Sequence, residues 1–406
     1  MSNNEYPVAL AGAKHETLMW AHEHEIESQA VAQIRNVAAL PWVHGVRVMP
    51  DVHLGVGATI GTVIASEQAI SPSAVGVDIG CGVNAVKTNL TLEDVEPHLH
   101  ALRLAIEASV PVAFSGHDHN VSSGMAGDKA FWARFKDLRA PVQALEGKAL
   151  KQLGTLGGGN HFIELCTDEE DDIWITLHSG SRNIGKELAE RHVEVAKSLS
   201  QNQDLPDKNL AVFLTGTPEM SAYRHDLEWA QEFAMRSRSM MMSLVKREVG
   251  SYFTDRMRLT VKSVKFEDEI NCHHNYVSEE EIDGRMMLVT RKGAISAFKG
   301  QLALIPGSMG TGSYIVRGLG NADSYNSASH GAGRKLSRGA AKRAFAGEDG
   351  GAAEIAKQLG NIESRRDSGI LDELPGAYKN IHAVMASQDN LVESVAHLQT
   401  ILCVKG

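Results

Sequence analysis

The residues best suited to bind a metal are spread over most of this 406-residue chain, from Asp78 to His330. Asp78 and Cys81 share one glycine-rich segment, whereas the first of several candidate histidines, His161, lies far downstream. Carboxylate, thiolate and imidazole groups are the usual protein ligands of transition metals. If they form one site, the intervening chain has to fold around it. We therefore expect a single large domain over residues 1–406, although the length would allow two or three.

The hydrophobic pattern predicts helices over residues 92–109, 184–200 and 222–253, with short strands around the glycine-rich motifs. Strands and helices are intermixed without a regular βαβ alternation. This favours an α+β fold, with mixed or antiparallel sheets of irregular topology surrounded by helices, over a doubly wound parallel sheet. The segment 114–150 contains several glycines followed by a basic helical stretch. It predicts a variable surface insertion that could contact a substrate.

The formal net charge is −10, which argues against a protein that simply coats nucleic acid. Residues 285–343, however, contain ten basic residues and one acidic residue. Lys and Arg bind phosphates through charge-assisted hydrogen bonds, so this stretch is either a phosphate-binding surface or a solvated face.

The four cysteines show no paired spacing, and no apolar signal segment follows the polar residues at the start of the sequence. No stretch approaches the roughly 20 apolar residues that cross a bilayer. We expect a reduced, cytoplasmic protein without a membrane function.

Asp78 and Cys81 form the first candidate metal-binding pair, in the sequence Asp-Ile-Gly-Cys. A buried Cys on its own is more often a core residue than a ligand. A carboxylate three residues away among glycines has no packing role, and this favours a metal. A thiolate can also bridge two cations.

The strands that flank the acidic turn 167–172 predict a hairpin. If paired residue numbers sum to 339, His161 lies opposite His178, and opposed Cβ atoms are about 4.5–5.5 Å apart. Two imidazoles could then bind one metal centre. The same register places Glu164 on the other face, so a site role for Glu164 requires the strand to begin after His161. Each histidine could instead be a hydrogen-bonded core residue.

Three further features remain open from the residues alone. Spacing does not decide between His273 and His274 as a ligand. Asp51 and His53 could orient ligands or fix a loop. The glycine-rich loop 306–313 could cradle a phosphate with its backbone N–H groups, or could be only a structural turn. It is not a Walker A loop, because the Gly-Lys-Ser/Thr ending is missing.

These motifs together closely resemble the RtcB family of GTP-dependent RNA ligases. The resemblance is strongest to the bacterial branch of the family. The matching segments are 49–55, 75–82, 159–164, 177–182, 271–277, 290–294, 305–309, 314–321, 329–334 and 403–406. The segment 114–150 shows no clear match. The resemblance implies the RtcB-like fold.

The resemblance also implies a set of site residues. Two Mn²⁺ ions would be held by Asp78, Cys81, His161, His178 and His274, with Cys81 bridging. His330 would be the nucleophile that attacks the α-phosphate of GTP. The implied guanylate contacts are Asn160, His161, Phe162, Ile163, Glu164, His274, Asn275, Pro306, Gly307, Ser308, Met309, Ser313, His330, Gly331, Ala332, Gly333 and Lys405. Arg182 and Arg334 are candidates for RNA or phosphate binding. The same ligands would also suit Zn²⁺, so the choice of manganese rests on the resemblance alone.

The implied reaction joins an RNA 3′-phosphate or 2′,3′-cyclic phosphate end to a 5′-hydroxyl end. GMP passes from the histidine to the 3′-phosphate, and the 5′-hydroxyl then displaces it. We expect RNA as partner, an archease-type activator in some settings, and a monomer. The alternatives are capping of 3′-phosphate ends without joining, a dinuclear metal phosphoesterase in which His330 has no covalent role, and a non-catalytic RNA-end binder.

Overall fold

A computed structural model describes residues 5–118, 128–256, 263–267 and 269–406. The strands are β1 Val8–Ala9, β2 Glu16–Met19, β3 Val43–His53, β4 Ile60–Ser66, β5 Ala69–Ile70, β6 Gly82–Thr91, β7 Phe162–Thr167, β8 Asp172–Ser179, β9 Phe213–Leu214, β10 Ile270–His273, β11 Asn275–Ile282, β12 Arg285–Lys292, β13 Ala294–Ser296, β14 Leu302–Pro306, β15 Ser313–Gly318, β16 Ser327–Ser329, β17 Glu363–Ser364 and β18 Val392–Lys405. The α-helices are α1 Ser28–Ala38, α2 Pro72–Val75, α3 Leu92–Val95, α4 Leu99–Ser109, α5 Lys129–Ala133, α6 Glu146–Gln152, α7 Arg182–Ser198, α8 Pro218–Ser251, α9 Arg338–Phe345, α10 Ala352–Leu359 and α11 Ile381–Ala386.

Two large sheets dominate the structure. The first has the strand order β1-β2-β3-β4-β12-β11, and the second has the order β10-β6-β8-β7-β18-β15-β14, with β17 beside β18. Strands β2 and β3 pair in parallel, as do β17 and β18, and the other pairs are antiparallel. Strands β10 and β14 also contact each other, so the second sheet is nearly closed. The predicted α+β class is confirmed.

The second sheet is covered on one face by α4 and by the 34-residue helix α8. Met241, Met242 and Val245 of α8 pack there against buried residues of the sheet, among them Ile163 of β7 and Ile175 of β8. Side chains alternate between the faces of a strand, so the neighbours of Ile163 point the other way. The site described below lies on this other face, which elsewhere packs against the first sheet.

The predicted helices are present with shifted ends. Helices α7 and α8 begin two and four residues earlier than predicted. The predicted helix 92–109 is split into α3 and α4 by a 3₁₀ turn at Glu96–His98. Pro97 lies in this turn and has no N–H for a helical hydrogen bond. The helix begins with a capping box, in which the backbone N–H of Thr91 donates to Asp94 Oδ2 at 3.0 Å.

The predicted register of the β7–β8 hairpin is wrong by one residue. Phe162, not His161, lies opposite His178. The turn sets this register because Asp168 closes it: its N–H donates to the carbonyl of Asp172 at 3.1 Å, and its Oδ1 accepts from the N–H of Asp172 at 3.0 Å. His161 therefore precedes the strand, and Glu164 shares a face with Phe162 and His178.

Residues 119–127 of the predicted insertion lie outside the described residues. The described part of the segment packs against α8, where Phe131, Trp132 and Phe135 are buried. Phe131 stacks on Trp229 of α8 with ring centroids 5.0 Å apart. This contact attaches the segment to the core by aromatic burial. Within the parts of the chain described, no helix has both the length and the apolar character that a bilayer crossing requires.

We expect Met242→Ala to lower the free energy of unfolding by about 2–5 kcal/mol, because it empties a fully buried position under the second sheet. Met235→Ala is the matched control on the same helix, since Met235 is 40% exposed, and should cost less than about 1 kcal/mol. Urea unfolding followed by circular dichroism measures both. Equal losses would contradict this assignment of the core face of α8.

Candidate metal centre and nucleotide pocket

Five potential ligands converge on the face of the second sheet that points away from α8. Cys81 Sγ lies 3.4 Å from His161 Nε2 and 3.3 Å from His178 Nε2. Asp78 Oδ2 lies 3.1 Å from His161 Nε2, and His178 Nε2 lies 3.0 Å from His274 Nε2. The donors form two groups that share Cys81: Asp78 with His161, and His178 with His274. If each group bound one metal ion, the Cys81 thiolate would be a ligand of both ions.

A tight turn between α2 and β6 positions Asp78 and Cys81. The N–H of Cys81 donates to the carbonyl of Asp78 at 3.1 Å, and Gly80 has φ +70°. A Cβ at Gly80 would lie 2.8 Å from Cβ of Ala234 on α8, so glycine is required for both conformation and space. The N–H of His274 donates to the Cys81 carbonyl at 2.8 Å, which ties the turn to the end of β10.

Burial lowers the pKa of both His178 and His274 well below the ordinary histidine value. Both rings are therefore neutral at pH 7, which is the metal-binding form. The Nδ1–H of His178 donates to the carbonyl of Asn160 at 3.2 Å. This bond leaves the lone pair of His178 on Nε2, the atom that faces Cys81 and His274.

Burial opposes ionisation of Asp78, but the bonds from His161 and Ser181 outweigh it and lower its pKa to about 2. Burial and the neighbouring Asp78 raise the pKa of the Cys81 thiol well above its usual value. A bound cation would reverse this effect, because a coordinating thiol is deprotonated.

The donor set fits a divalent cation. Two imidazole Nε2 atoms point at each other and at a sulfur, although only one of them could carry a proton between them. Among the described residues, Nδ1 of His161 and Nδ1 of His274 are buried without a hydrogen-bond partner. Convergent lone pairs without enough donors are characteristic of a metal centre.

The structure distinguishes between the two histidines that spacing left open. His274 lies in the cluster, whereas the Nδ1–H of His273 donates to the Gly80 carbonyl at 2.8 Å, away from it. This placement agrees with the ligand that the family resemblance implies.

His330 is held by the buried carboxylate of Asp51, for which the sequence left open a role in orienting ligands or in fixing a loop. Its Nδ1–H donates to Asp51 Oδ2 at 2.6 Å, and its backbone N–H donates to the same oxygen at 3.2 Å. The ring stacks on His274, with centroids 4.7 Å apart and planes 20° apart. Nε2 is consequently the nitrogen with the free lone pair, beside the candidate metal ligands.

A cavity of about 580 Å³ opens next to His330. It is lined by the predicted residues Asn160, Phe162, Glu164, His274, Asn275, Pro306, Gly307, Ser308, Met309, Ser313, Gly331, Ala332, Gly333 and Lys405. Gly333 must be a glycine, because it has φ +73° and a Cβ there would lie 2.2 Å from the carbonyl oxygen of Asp51. The volume is that of an ordinary small-molecule site.

Two predicted guanylate contacts lie elsewhere. The side chain of Ile163 is fully buried in the core under α8, so only its backbone remains on the side of the cavity. His161 lines a second cleft that adjoins this cavity.

Charged residues at one end of the cavity are already paired. Lys405 Nζ lies 3.0 Å from Glu373 Oε2, and Arg334 donates to Glu373 Oε1 at 3.2 Å and to the Tyr378 hydroxyl at 2.9 Å. Burial raises the pKa of Glu373, but the adjacent Lys405 and the bond from Tyr378 outweigh it and bring the pKa to about 2. Arg334 would have to leave these partners to bind RNA directly.

Glu373 and Lys292 also line the cavity but were missed from the sequence. Lys292 is buried, and its ammonium donates to the carbonyls of Val56 and Ser73 at 2.7 and 2.8 Å. Burial lowers its pKa to about 7. Its position before Gly293, at the end of an apolar strand, was the available signal.

The fold and these contacts define a class: an α+β protein with a candidate two-metal centre between a glycine-lined pocket and a second cleft. The family model described as tRNA-splicing ligase RtcB matches residues 33–406. The chain belongs to the RtcB family.

Relatives in this family align over nearly their whole length. The RNA-splicing ligase RtcB of Escherichia coli (strain K12) is 44% identical over 408 residues, which cover 96% of this chain and 97% of that protein. The tRNA-splicing ligases RtcB of Nanoarchaeum equitans and Thermococcus kodakarensis are each 29% identical, and each alignment covers 94% of this chain and 92% of the relative.

Glu164 predicts a pH-dependent loss of stability. Burial raises its pKa to about 7, so between its unfolded value and pH 7 the folded state binds more protons than the unfolded state. Stability should therefore fall as pH rises, by about 2 kcal/mol between pH 5 and pH 7.5. Glu164→Gln should not show this pH-dependent loss of stability, because its amide does not ionise. Urea unfolding of both proteins at each pH provides the comparison, and identical pH profiles would contradict the assigned pKa.

Proposed function

We propose that this protein is an RNA ligase that joins 3′-phosphate or 2′,3′-cyclic phosphate ends to 5′-hydroxyl ends through a guanylylated His330. RNA ligation follows from membership of the family and from the names of the relatives. The contact that supports the covalent route is the 2.6 Å bond from His330 Nδ1 to Asp51. It leaves Nε2 available as a nucleophile between the metal ligands and the glycine-lined cavity.

In the first step His330 Nε2 attacks the α-phosphorus of GTP, and the bond to the β-phosphate oxygen breaks. Pyrophosphate leaves, and GMP remains on the histidine through a P–N bond. Asp51 fixes the tautomer of the ring and stabilises the positive charge that develops on it, as the carboxylate of a catalytic triad does for its histidine. Asp51 is thus a positioning residue that acts through His330.

Asp78, Cys81, His161, His178 and His274 would hold two Mn²⁺ ions, with Cys81 shared between them. When bound, these ions supply Lewis-acid polarisation of phosphoryl oxygens. The preference for manganese over zinc rests on the family resemblance, since the donors suit both.

The guanosine would occupy the cavity beside Phe162 and Glu164. The ring of Phe162 lines the cavity and lies under the ammonium of Lys405, with 5.9 Å between the nitrogen and the ring centroid. Glu164, with a pKa of about 7, is available both as a hydrogen-bond donor and as an acceptor near neutral pH. The loop 306–309 and the segment 331–333 form the opposite wall.

The remaining steps consume the RNA ends. An oxygen of the RNA 3′-phosphate attacks the phosphorus on His330, the P–N bond breaks, and the end becomes RNA-3′-pp-5′-G. The 5′-hydroxyl of the second RNA attacks the 3′-phosphate and releases GMP. A cyclic end is first hydrolysed to the 3′-phosphate. A cytoplasmic monomer, helped in some settings by an archease-type activator, is part of this proposal.

Labelling with [α-³²P]GTP and a divalent metal tests the covalent step. Wild type should retain acid-labile radioactivity, and His330→Ala should retain none. Asp51→Asn should label at least about a hundredfold more slowly, because the amide no longer fixes the tautomer of the ring. Wild type that hydrolyses phosphoesters without ever becoming labelled would instead indicate the phosphoesterase. A stable RNA-3′-pp-5′-G product without joining would indicate capping.

Cys81→Ala should lose bound manganese and GMP labelling while keeping its circular dichroism spectrum, because it removes the atom that the two ligand groups share. Cys166→Ala is the matched control, since Cys166 is also a buried thiol but lies outside the ligand groups. Metal content after dialysis is measured by mass spectrometry. Full metal content in Cys81→Ala would refute a bridging role.

A further inference from the structure

A second cleft of about 660 Å³ adjoins the nucleotide cavity at the metal ligands, and the two share Val77, Asp78, Arg338, Glu373 and Lys405 in their walls. Asp78 and His161 line it, so it reaches the metal centre directly. Its wall carries six cationic side chains and three carboxylates. The cations are Lys148, Arg182, Lys186, Arg338, Lys342 and Lys405, and the carboxylates are Asp78, Asp372 and Glu373. The proposed nucleotide contacts leave this cleft almost unused.

The cations of this cleft are not fully neutralised by the protein. No carboxylate of the described residues lies within ion-pair distance of Arg182 or of Lys148. Arg182 donates to two neutral oxygens, Thr155 Oγ1 at 3.0 Å and the Ala113 carbonyl at 2.6 Å. Arg338 and Lys342 share one carboxylate, Asp372, at 3.8 and 3.4 Å. Lys186 lies 3.5 Å from Glu190, an exposed carboxylate that does not line the cleft. Six cations against three lining carboxylates leave the cleft with an excess of positive charge, which suits a polyanion.

The same cleft has a solvent-exposed aromatic side chain in its wall. Phe114 lines the cleft and is 100% exposed, the most exposed of the large hydrophobic side chains in the described residues. Burial of a Phe side chain is favourable, and the fold does not use this contribution.

The backbone around Phe114 is fixed. The N–H of Ser115 donates to the Val112 carbonyl at 3.1 Å, and the N–H of Leu156 donates to the Pro111 carbonyl at 2.9 Å. Ala113 has φ +55°, a left-handed conformation that is unfavourable for a non-glycine residue. Arg182 holds that residue through its carbonyl, so the cation and the exposed ring are coupled in one unit.

We propose that this second cleft binds the single-stranded end of the RNA substrate, with a base stacked on Phe114 and the phosphates on Lys148, Arg182 and Lys186. Exposed aromatic rings beside cationic grooves are how proteins bind single strands without reading sequence. The assignment rests on the proposed RNA ligase function. It adds that the strand enters through the second cleft and not through the guanosine cavity, and that an unpaired end is the preferred substrate.

The test measures binding of a fluorescein-labelled 12-nucleotide RNA with a 3′-phosphate, as a single strand and in a blunt duplex, by anisotropy. Phe114→Ala should weaken single-strand binding about tenfold and duplex binding much less, and Phe114→Trp should restore it. Lys148→Ala should lower the slope of log K against log salt concentration by about 0.7. Phe298→Ala, at an exposed Phe that lines neither cavity, is the matched control and should bind RNA like wild type.

Kinetics separate this inference from the proposed function. Phe114→Ala should label with GTP at the wild-type rate, whereas transfer of GMP to RNA 3′-phosphate should show a raised KM with an unchanged kcat. Unchanged single-strand affinity and KM in Phe114→Ala, with normal labelling, would overturn the stacking role while leaving the ligase proposal intact. An equal loss for single strand and duplex would overturn it as well. Absence of labelling in wild type would instead refute the proposed function.

Discussion

The buried guanidinium of Arg238 connects the segments that form the metal centre. It comes from α8, is completely inaccessible, and donates to the carbonyls of Gly80 and Ser179 at 2.7 and 3.0 Å and to Asn271 Oδ1 at 2.8 Å. These acceptors belong to the Asp78–Cys81 turn, to the end of β8 and to β10. A buried cation that gives up its hydration needs such acceptors, so these three chain segments are constrained together. The positions of Cys81, His178 and His274 follow from this constraint.

Local patterns predicted much of the fold. The α+β class and the long helix α8 follow from hydrophobic periodicity, which records burial directly. The register of the β7–β8 hairpin did not follow, because it depends on one side chain, Asp168, that closes the turn with its own carboxylate. Nothing in the alternation of the strands distinguishes a sum of 339 from 340. The path of the chain between the two sheets was likewise beyond local patterns.

Some residues of the candidate site could likewise be predicted from the sequence, and others could not. Glycine-rich turns next to Asp, Cys and His identified the residues that now lie together, because such turns are needed for close approach to a ligand. The roles of Asp51 and Lys292 were harder to predict. Asp51 meets its partner 279 positions along the chain, and no local spacing records such a contact. Phe114 was inaccessible to sequence reasoning for the opposite reason, since an exposed aromatic residue leaves no periodic pattern.

Asp51 belongs to β3 of the first sheet, whereas the ring it orients stacks on His274, at the end of β10 in the second. The reactive nitrogen is thus aligned across the seam between two sheets, through the shared core that contains Met49, Ala328 and Ile305. A sub-ångström slide of one sheet over the other would stretch a 2.6 Å bond before any ligand moved. Methylene-sized changes at core residues that line neither cavity would therefore misalign the nucleophile without touching any ligand.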